Sequence, residues 1–171
     1  MSGVTFHPLT LAHRSMLLEW LSQAHAQEWW GDAEEEVNLI YDDKGEHQPF
    51  IACVDDEPIA YIQAWRPSKH PDLPWQFKMT PTTRGIDITI GDANNLGRGF
   101  GSMIIKAFVA KLFAEGATRL VIDPDVTNER AIAAYINAGF TPYDTFVSDE
   151  GSALLMELLP DEMRYGASYA K

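Results

Sequence analysis

The sequence predicts an α/β protein with a mixed central sheet of about seven strands flanked by about four helices. Three observations predict it. Short apolar or alternating runs, each the length of a strand, recur along the chain. Between them lie segments whose apolar residues recur every three or four positions, the period of a helix. Clusters of Asp, Asn, Gly and Pro mark the places where one period gives way to the other. The chain has 171 residues, which suits one core. We therefore expect a single domain over residues 1–160, with residues 161–171 as a C-terminal tail.

Val4–Leu9 reads as the first strand. Thr10 can cap a helix that carries Met16, Leu17, Trp20, Leu21 and Ala24 at spacings of three and four. Asp32 caps a second helix, and Glu34, Glu35 and Glu36 in its first turn favour the positive end of the helix dipole. Tyr41-Asp42-Asp43-Lys44-Gly45 ends it. Gln48–Val54 and Pro58–Trp65 are two strands joined by the tight turn Asp55-Asp56-Glu57-Pro58. Residues 66–83 hold Pro67, Pro71, Pro74 and Pro81 and read as an irregular loop, long enough to suggest a function. Arg84–Ile90 is a strand. A helix follows from Gly97, with Phe100, Ile104, Ala107, Phe108 and Lys111–Leu112 on one side, and Gly116 ends it. Arg119–Asp123 is a short strand. Asn128 caps a last helix that ends at Gly139, the left-handed residue expected past a helix end. Phe140–Val147 and Ala153–Leu159 close the chain as a strand pair around Ser148-Asp149-Glu150-Gly151. The order is β-α-α-β-β-β-α-β-α-β-β, with helices on both faces of the sheet.

Composition removes several classes. Apolar residues make up 46% and charged residues 22%, so disorder is not expected. The start, MSGVTFHPLT, shows no signal peptide, and no stretch approaches the length of a membrane span. A single cysteine, Cys53, excludes an internal disulfide. It lies in an apolar strand and reads as a buried, inert thiol, consistent with a cytoplasmic protein. The five histidines lack metal-ligand spacing, so no metal is expected. Thirteen basic and 25 acidic residues give a net charge of −12. Phosphate backbones are repelled, which argues against a nucleic-acid partner. A cationic small substrate would be attracted; a soluble acidic surface is the plain alternative.

The most informative segment is Leu96-Gly97-Arg98-Gly99-Phe100-Gly101, between a strand and a helix. Its glycines allow close backbone approach to an anion. The first N–H groups of the helix and its dipole then attract negative charge, and Arg98 adds a cation. A dinucleotide-binding reading wants glycine at position 102, where Ser102 stands. A Walker A reading lacks Gly-Lys-Ser/Thr. A purely structural turn remains open on these residues alone.

The flanks narrow it. Arg84-Gly-Ile-Asp-Ile-Thr-Ile-Gly leads into the turn. Asp123-Pro-Asp-Val-Thr-Asn128 and Tyr135-Ile-Asn-Ala-Gly-Phe140 follow. This series resembles the GNAT acetyltransferase superfamily, whose turn reads Gln/Arg-x-x-Gly-x-Gly/Ala. Leu96 stands at the first position of that pattern. The resemblance implies the GNAT fold and acetyl-CoA as cosubstrate. It implies that backbone groups of Ile88, Thr89 and Ile90 pair with the pantetheine arm and offer an N–H to the thioester oxygen. It implies that N–H groups of Gly97, Arg98, Gly99, Phe100, Gly101 and Ser102 take the pyrophosphate, and that Asn128 contacts the cofactor arm. It places Tyr135 as general acid to the departing thiolate. An N-cap role for Asn128 and a packed core ring for Tyr135 are the structural alternatives.

A finer resemblance reaches the aminoglycoside 6′-N-acetyltransferases. It runs through Glu28-Trp29-Trp30-Gly31, Glu57–Tyr61, Asp72 with Trp75, Arg84-Gly-Ile-Asp87, Leu96–Gly101 and Asp123–Asn128. Leucine precedes the turn in that family too. Its acceptors are polycationic sugars, and resistance to those antibiotics is the implied role. The resemblance implies that Asp72, Asp87, Asp123 and Glu150 bind the amines, with Trp29, Trp30 and Trp75 against the rings. Strand ends in a mixed sheet converge, so the aspartates can surround one ligand. An aspartate inside an apolar strand needs a partner or a task. Asp87 is therefore the candidate base or positioning group, with Arg84 as a mundane partner. Direct transfer without an acyl-enzyme is expected, because Cys53 is poorly placed as a nucleophile.

Two other readings compete. Acyltransferases of hydroxylysine-type siderophore precursors share the stretch from Gly91-Asp92 to Gly101. A non-catalytic coenzyme A sensor would keep the turn and lose Asp87 or Tyr135, both of which are present. A protein N-acetyltransferase would not need the acidic residues. Monomer and homodimer are both compatible with the sequence.

Overall fold

The structure, a computed structural model, describes residues 3–70 and 79–160. Its elements run β1 (Val4–Pro8), α1 (Arg14–Leu21), α2 (Ala24–Trp30), α3 (Ala33–Asp42), β2 (His47–Val54), β3 (Glu57–Trp65), β4 (Thr83–Ile90), α4 (Phe100–Ala114), β5 (Arg119–Ile122), α5 (Glu129–Asn137), β6 (Thr141–Ser148) and β7 (Gly151–Leu158). Short 3-10 turns lie at Leu11–His13, Pro67–Lys69 and Ala93–Asn95. The seven strands are hydrogen-bonded in the order β1-β2-β3-β4-β5-β7-β6. The β4–β5 pair is parallel, while β1–β2, β5–β7 and β6–β7 are antiparallel. The mixed sheet expected from the sequence is present.

The described residues hold five α-helices rather than about four. The helix predicted from Thr10 stops at Leu21; Ser22 closes it, its N–H and its hydroxyl both donating to the Leu18 carbonyl at 3.0 and 2.7 Å. Gln23 is extended (φ −74°, ψ 144°), and its side-chain carbonyl accepts the Ala93 N–H at 2.9 Å. A second helix then starts at Ala24. Periodicity alone could not show this break, since Ala24 continues the apolar spacing across it. Gly31 ends α2 at φ +89°. Asp32 then caps α3 as expected, accepting the Glu35 N–H at 3.0 Å.

The contacts divide the chain into two compact units. The first comprises Met1–Ala64 and Asp87–Ile104. Its core gathers Leu17, Trp20 and Leu21 of α1, Ala26 of α2, Ala33 and Val37 of α3, Ile51 and Cys53 of β2, and Tyr61 of β3. The spacing of Leu17, Trp20 and Leu21 puts them on one helical stripe. Asp55 and Asp56 have φ of 50° and 68°, so the β2–β3 connection is the two-residue turn whose twist suits a hairpin. The second unit comprises Trp65–Ile86 and Ile105–Lys171. It buries Phe108, Leu112, Leu120, Val121, Phe140, Leu155 and Met156. Tyr135 and Phe140 meet edge to face at 5.8 Å. The loop predicted over 66–83 begins with the 3-10 turn at Pro67–Lys69. Residues 71–78, which include Asp72 and Trp75, lie outside the described part.

Candidate active site

Within the first unit, β4 delivers Asp87. Gln63, and not Arg84, is hydrogen-bonded to it. Gln63 Nε2 donates to Asp87 Oδ2 at 2.8 Å, and the Tyr61 hydroxyl donates to Gln63 Oε1 at 2.6 Å. Arg84 instead donates to the carbonyls of Pro81 and Thr83 at 2.8 and 3.0 Å. Tyr61 is fully buried and Gln63 nearly so. The Trp30 ring stands edge-on to Tyr61 at 5.8 Å. The two neighbouring tryptophans of α2 therefore differ: Trp30 packs against the core, while Trp29 is 39% exposed.

Glu36 on α3 belongs to the same electrostatic neighbourhood. Burial, then the charges of Glu35 and Asp87, raise its carboxyl above the ordinary range. Burial pushes the Tyr61 phenol well up, and the charges of Asp87, Asp43 and Glu36 add to it. Tyr61 thus stays a hydrogen-bond donor at every working pH.

The end of β4 is anchored three times. His25 Nε2 lies 2.8 Å from the Ile90 carbonyl, and the Gly91 N–H donates to the Ile59 carbonyl at 2.8 Å. A Cβ on Gly91 would stand 2.2 Å from the Trp20 ring. Asp92 then accepts the Asn94 N–H at 2.8 Å and opens the turn. Gly97 and Gly99 are left-handed, at φ +71° and +82°, and a Cβ at either would meet nothing within 4 Å. The backbone is therefore open on that side. Arg98 donates to Asn95 Oδ1 at 3.0 Å and lies 5.0 Å over the Phe100 ring. The 15-residue α4 begins at Phe100, so its first-turn N–H groups and its positive dipole end meet this turn. Gly101 and Ser102 are half-buried in that first turn. Ile88 and Ile90 are half-buried and Thr89 is buried.

In the second unit, Asp123 follows β5 and is half-buried. Asn128 caps α5, its Oδ1 accepting the Ala131 N–H at 3.2 Å, so the capping role holds. Tyr135 lies on α5 and is 7% exposed. Glu150 is exposed in the β6–β7 turn. Cys53 is buried, and burial with the charges of Asp56 and Glu57 raises its thiol, which suits an inert side chain. Among the described residues no group of three or more His, Cys, Asp or Glu could hold a metal ion, and no helix is long and apolar enough to cross a membrane.

Sequence reasoning missed Gln63, Glu36 and His25. A signal for Gln63 was present: it is a polar residue inside an apolar strand, the same anomaly that marks Asp87.

A family model for the acetyltransferase (GNAT) domain matches residues 10–147. The chain belongs to the GNAT acetyltransferases. This acetyltransferase is 34% identical over 166 residues to the aminoglycoside N(6′)-acetyltransferase type 1 of Klebsiella pneumoniae, covering 90% of this chain and 82% of that one. Its fold matches AAC(6′)-Ib in complex with paromomycin and acetyl-CoA at a TM-score of 0.87, with 31% identity over 98% of this chain and 99% of that one. It matches the aminoglycoside acetyltransferase AAC(6′)-Ib in complex with coenzyme A and kanamycin equally well, at 0.87 and 31% over 97% and 100%.

Proposed function

We propose that this acetyltransferase moves the acetyl group of acetyl-CoA onto the 6′-amino group of an aminoglycoside, by direct attack, and so confers resistance. The observation that carries this is the identity of 34% with an aminoglycoside N(6′)-acetyltransferase, sustained over 90% of the chain. Acetyl-CoA supplies an activated acyl thioester. The residues fit its anionic end. Gly97 and Gly99 hold an open, left-handed backbone at the start of α4, where N–H groups from Gly97 to Ser102 can take a pyrophosphate. Arg98 adds positive charge. Backbone groups of Ile88, Thr89 and Ile90 pair with the pantetheine arm, and an N–H there supports the thioester oxygen. Asn128, whose Oδ1 is committed to its cap, presents its amide N–H to the cofactor arm.

On the acceptor side an ammonium cannot attack a thioester, so a proton must leave it. Asp87 receives or positions that amine, and Asp72, Asp123 and Glu150 bind the other cationic groups. Trp29, Trp30 and Trp75 lie against the sugar. Tyr135 protonates the departing thiolate. The domain over residues 1–160 acts in the cytoplasm, as a monomer or homodimer, without metal, nucleic acid or membrane.

The test is to incubate the protein with acetyl-CoA and a panel of kanamycin-type sugars, lysine derivatives and peptides, following free thiol. Turnover confined to 6′-amino sugars is expected. No turnover on any of them would overturn the reading.

A further inference from the structure

The amide of Gln63 is held at both ends. Its oxygen accepts from Tyr61 at 2.6 Å and its nitrogen donates to Asp87 at 2.8 Å. Tyr61 and Gln63 are two residues apart on β3, so they share one face of the strand. The Tyr61 ring is fixed by complete burial and by the edge contact with Trp30. A primary amide has one donor end and one acceptor end. Rotating it by half a turn would set its carbonyl oxygen against a carboxylate. The buried phenol, protonated throughout, favours the same orientation from the other side.

We propose that Tyr61 and Gln63 are positioning residues: an amide lock that commits Asp87 Oδ2 to the Gln63 N–H and so sets how the carboxylate meets the acceptor ammonium. The proposal rests on the assignment of Asp87 to the acceptor amine. The choice of a neutral donor has a reason. An Arg or Lys at position 63 would orient Asp87 equally well but would cancel its charge and compete with a cationic substrate. An amide orients the carboxylate without adding a positive charge of its own. Glu36 from α3 and Tyr61 from β3 are titratable groups that feel this charge, with Asp43 and Tyr41 also acting on Tyr61.

The experiment uses the full chain with Tyr61→Phe, Gln63→Leu and Gln63→Glu. Two quantities are read. One is kcat and KM for kanamycin and for acetyl-CoA across pH. The other is the titration of the Asp87 carboxyl carbon by NMR without substrate. Losing the Gln63 hydrogen bond to the charged Asp87 lowers kcat/KM for kanamycin by about tenfold or more in Gln63→Leu, and Tyr61→Phe, which removes only the neutral bond that orients the amide, lowers it by less. KM for acetyl-CoA stays unchanged. The Asp87 titration and the acid limb of kcat/KM move upward together, furthest in Gln63→Glu, where two carboxylates face each other. An unmoved Asp87 titration, or an equal loss in both substrates' KM, overturns the lock. If Gln63→Leu melts early, Tyr61→Phe, which keeps the ring, carries the same test. If the unaltered protein acetylates no 6′-amino sugar, the proposed function fails alone, and the Asp87 titration still decides the lock.

Discussion

The indole of Trp20 fills the space that a side chain at position 91 would need, for a Cβ on Gly91 would come within 2.2 Å of its ring. Neither partner yields cheaply. Trp20 is buried in the core of the first unit, and Gly91 is tied to the Ile59 carbonyl at 2.8 Å. Gly91 also stands directly before the turn that carries Gly97 and Gly99. Gly91→Ala should cost about 1–3 kcal/mol of stability by overpacking, measured by denaturant unfolding. It should also raise KM for acetyl-CoA more than KM for the sugar. Gly97→Ala is the contrast, because its Cβ meets open space and its cost is only the left-handed φ, about 1 kcal/mol. Full stability in Gly91→Ala would mean that the indole swings aside.

His25 fixes the carbonyl of Ile90 from α2, at 2.8 Å. A carbonyl only accepts, so His25 carries its hydrogen on Nε2 in this contact. Ile90 is one of the residues assigned to the pantetheine arm. His25→Ala should destabilise by about 1 kcal/mol and raise KM for acetyl-CoA with little change in kcat. His25→Gln, which can still donate, should recover part of the loss. A KM indifferent to both variants would show that the end of β4 holds its shape without His25.

The sequence made most elements legible because their signals are local. Asp32 and Asn128 are caps that bond within one turn of themselves, and Asp55-Asp56 is a turn that needs no distant partner. The break at Ser22–Gln23 was not legible, because it depends on Gln23 meeting Ala93, 70 positions away. The same distinction runs through the site. The glycine turn announces itself through its own backbone chemistry. Asp87 is marked by its apolar strand, but the mundane partner the sequence offers, Arg84, donates to the Pro81 and Thr83 carbonyls, and strand pairing, not proximity in sequence, brings Gln63 to Asp87. Glu36 looked like a first-turn acid favouring a helix dipole, and only packing shows that it also senses Asp87.

Glu36 gives a pH prediction with a definite sign. Burial, with Glu35 and Asp87, raises its carboxyl above the ordinary 4.5. Between the unfolded and folded values the native state binds more protons than the unfolded chain, so stability falls as pH rises through that window. Above it, the ionised carboxylate is a standing cost. Glu36→Gln should therefore melt higher than the parent near neutral pH, and the gap should close as pH drops below the ordinary value. A gap that persists in acid would mean that the gain comes from packing or helix propensity. If Glu36 also attracts the acceptor, the same variant should raise KM for kanamycin and leave KM for acetyl-CoA alone.

Asp87→Asn separates chemistry from architecture. The amide keeps the shape but loses the charge and the proton-accepting oxygen. A group that takes or directs the amine's proton contributes about 10²–10⁴-fold to rate. The variant should lose kcat on that scale while acetyl-CoA binding, measured by calorimetry, stays within about twofold. Equal losses of turnover and of acetyl-CoA affinity would assign Asp87 to structure.

Tyr135→Phe divides the two readings of Tyr135. The ring is 7% exposed and meets Phe140 edge to face at 5.8 Å, a contact that phenylalanine preserves. If Tyr135 only packs, the variant should keep its activity and change stability by no more than about 1 kcal/mol. If the hydroxyl protonates the departing thiolate, kcat should fall by about 10²-fold or more with stability nearly intact. The loss should also depend on the leaving group. A donor thioester whose thiol is more acidic than that of coenzyme A needs less protonation as it departs, so it should recover part of the lost rate in the variant and gain little in the parent. We expect that selective recovery. A uniform loss across donors would return Tyr135 to the core.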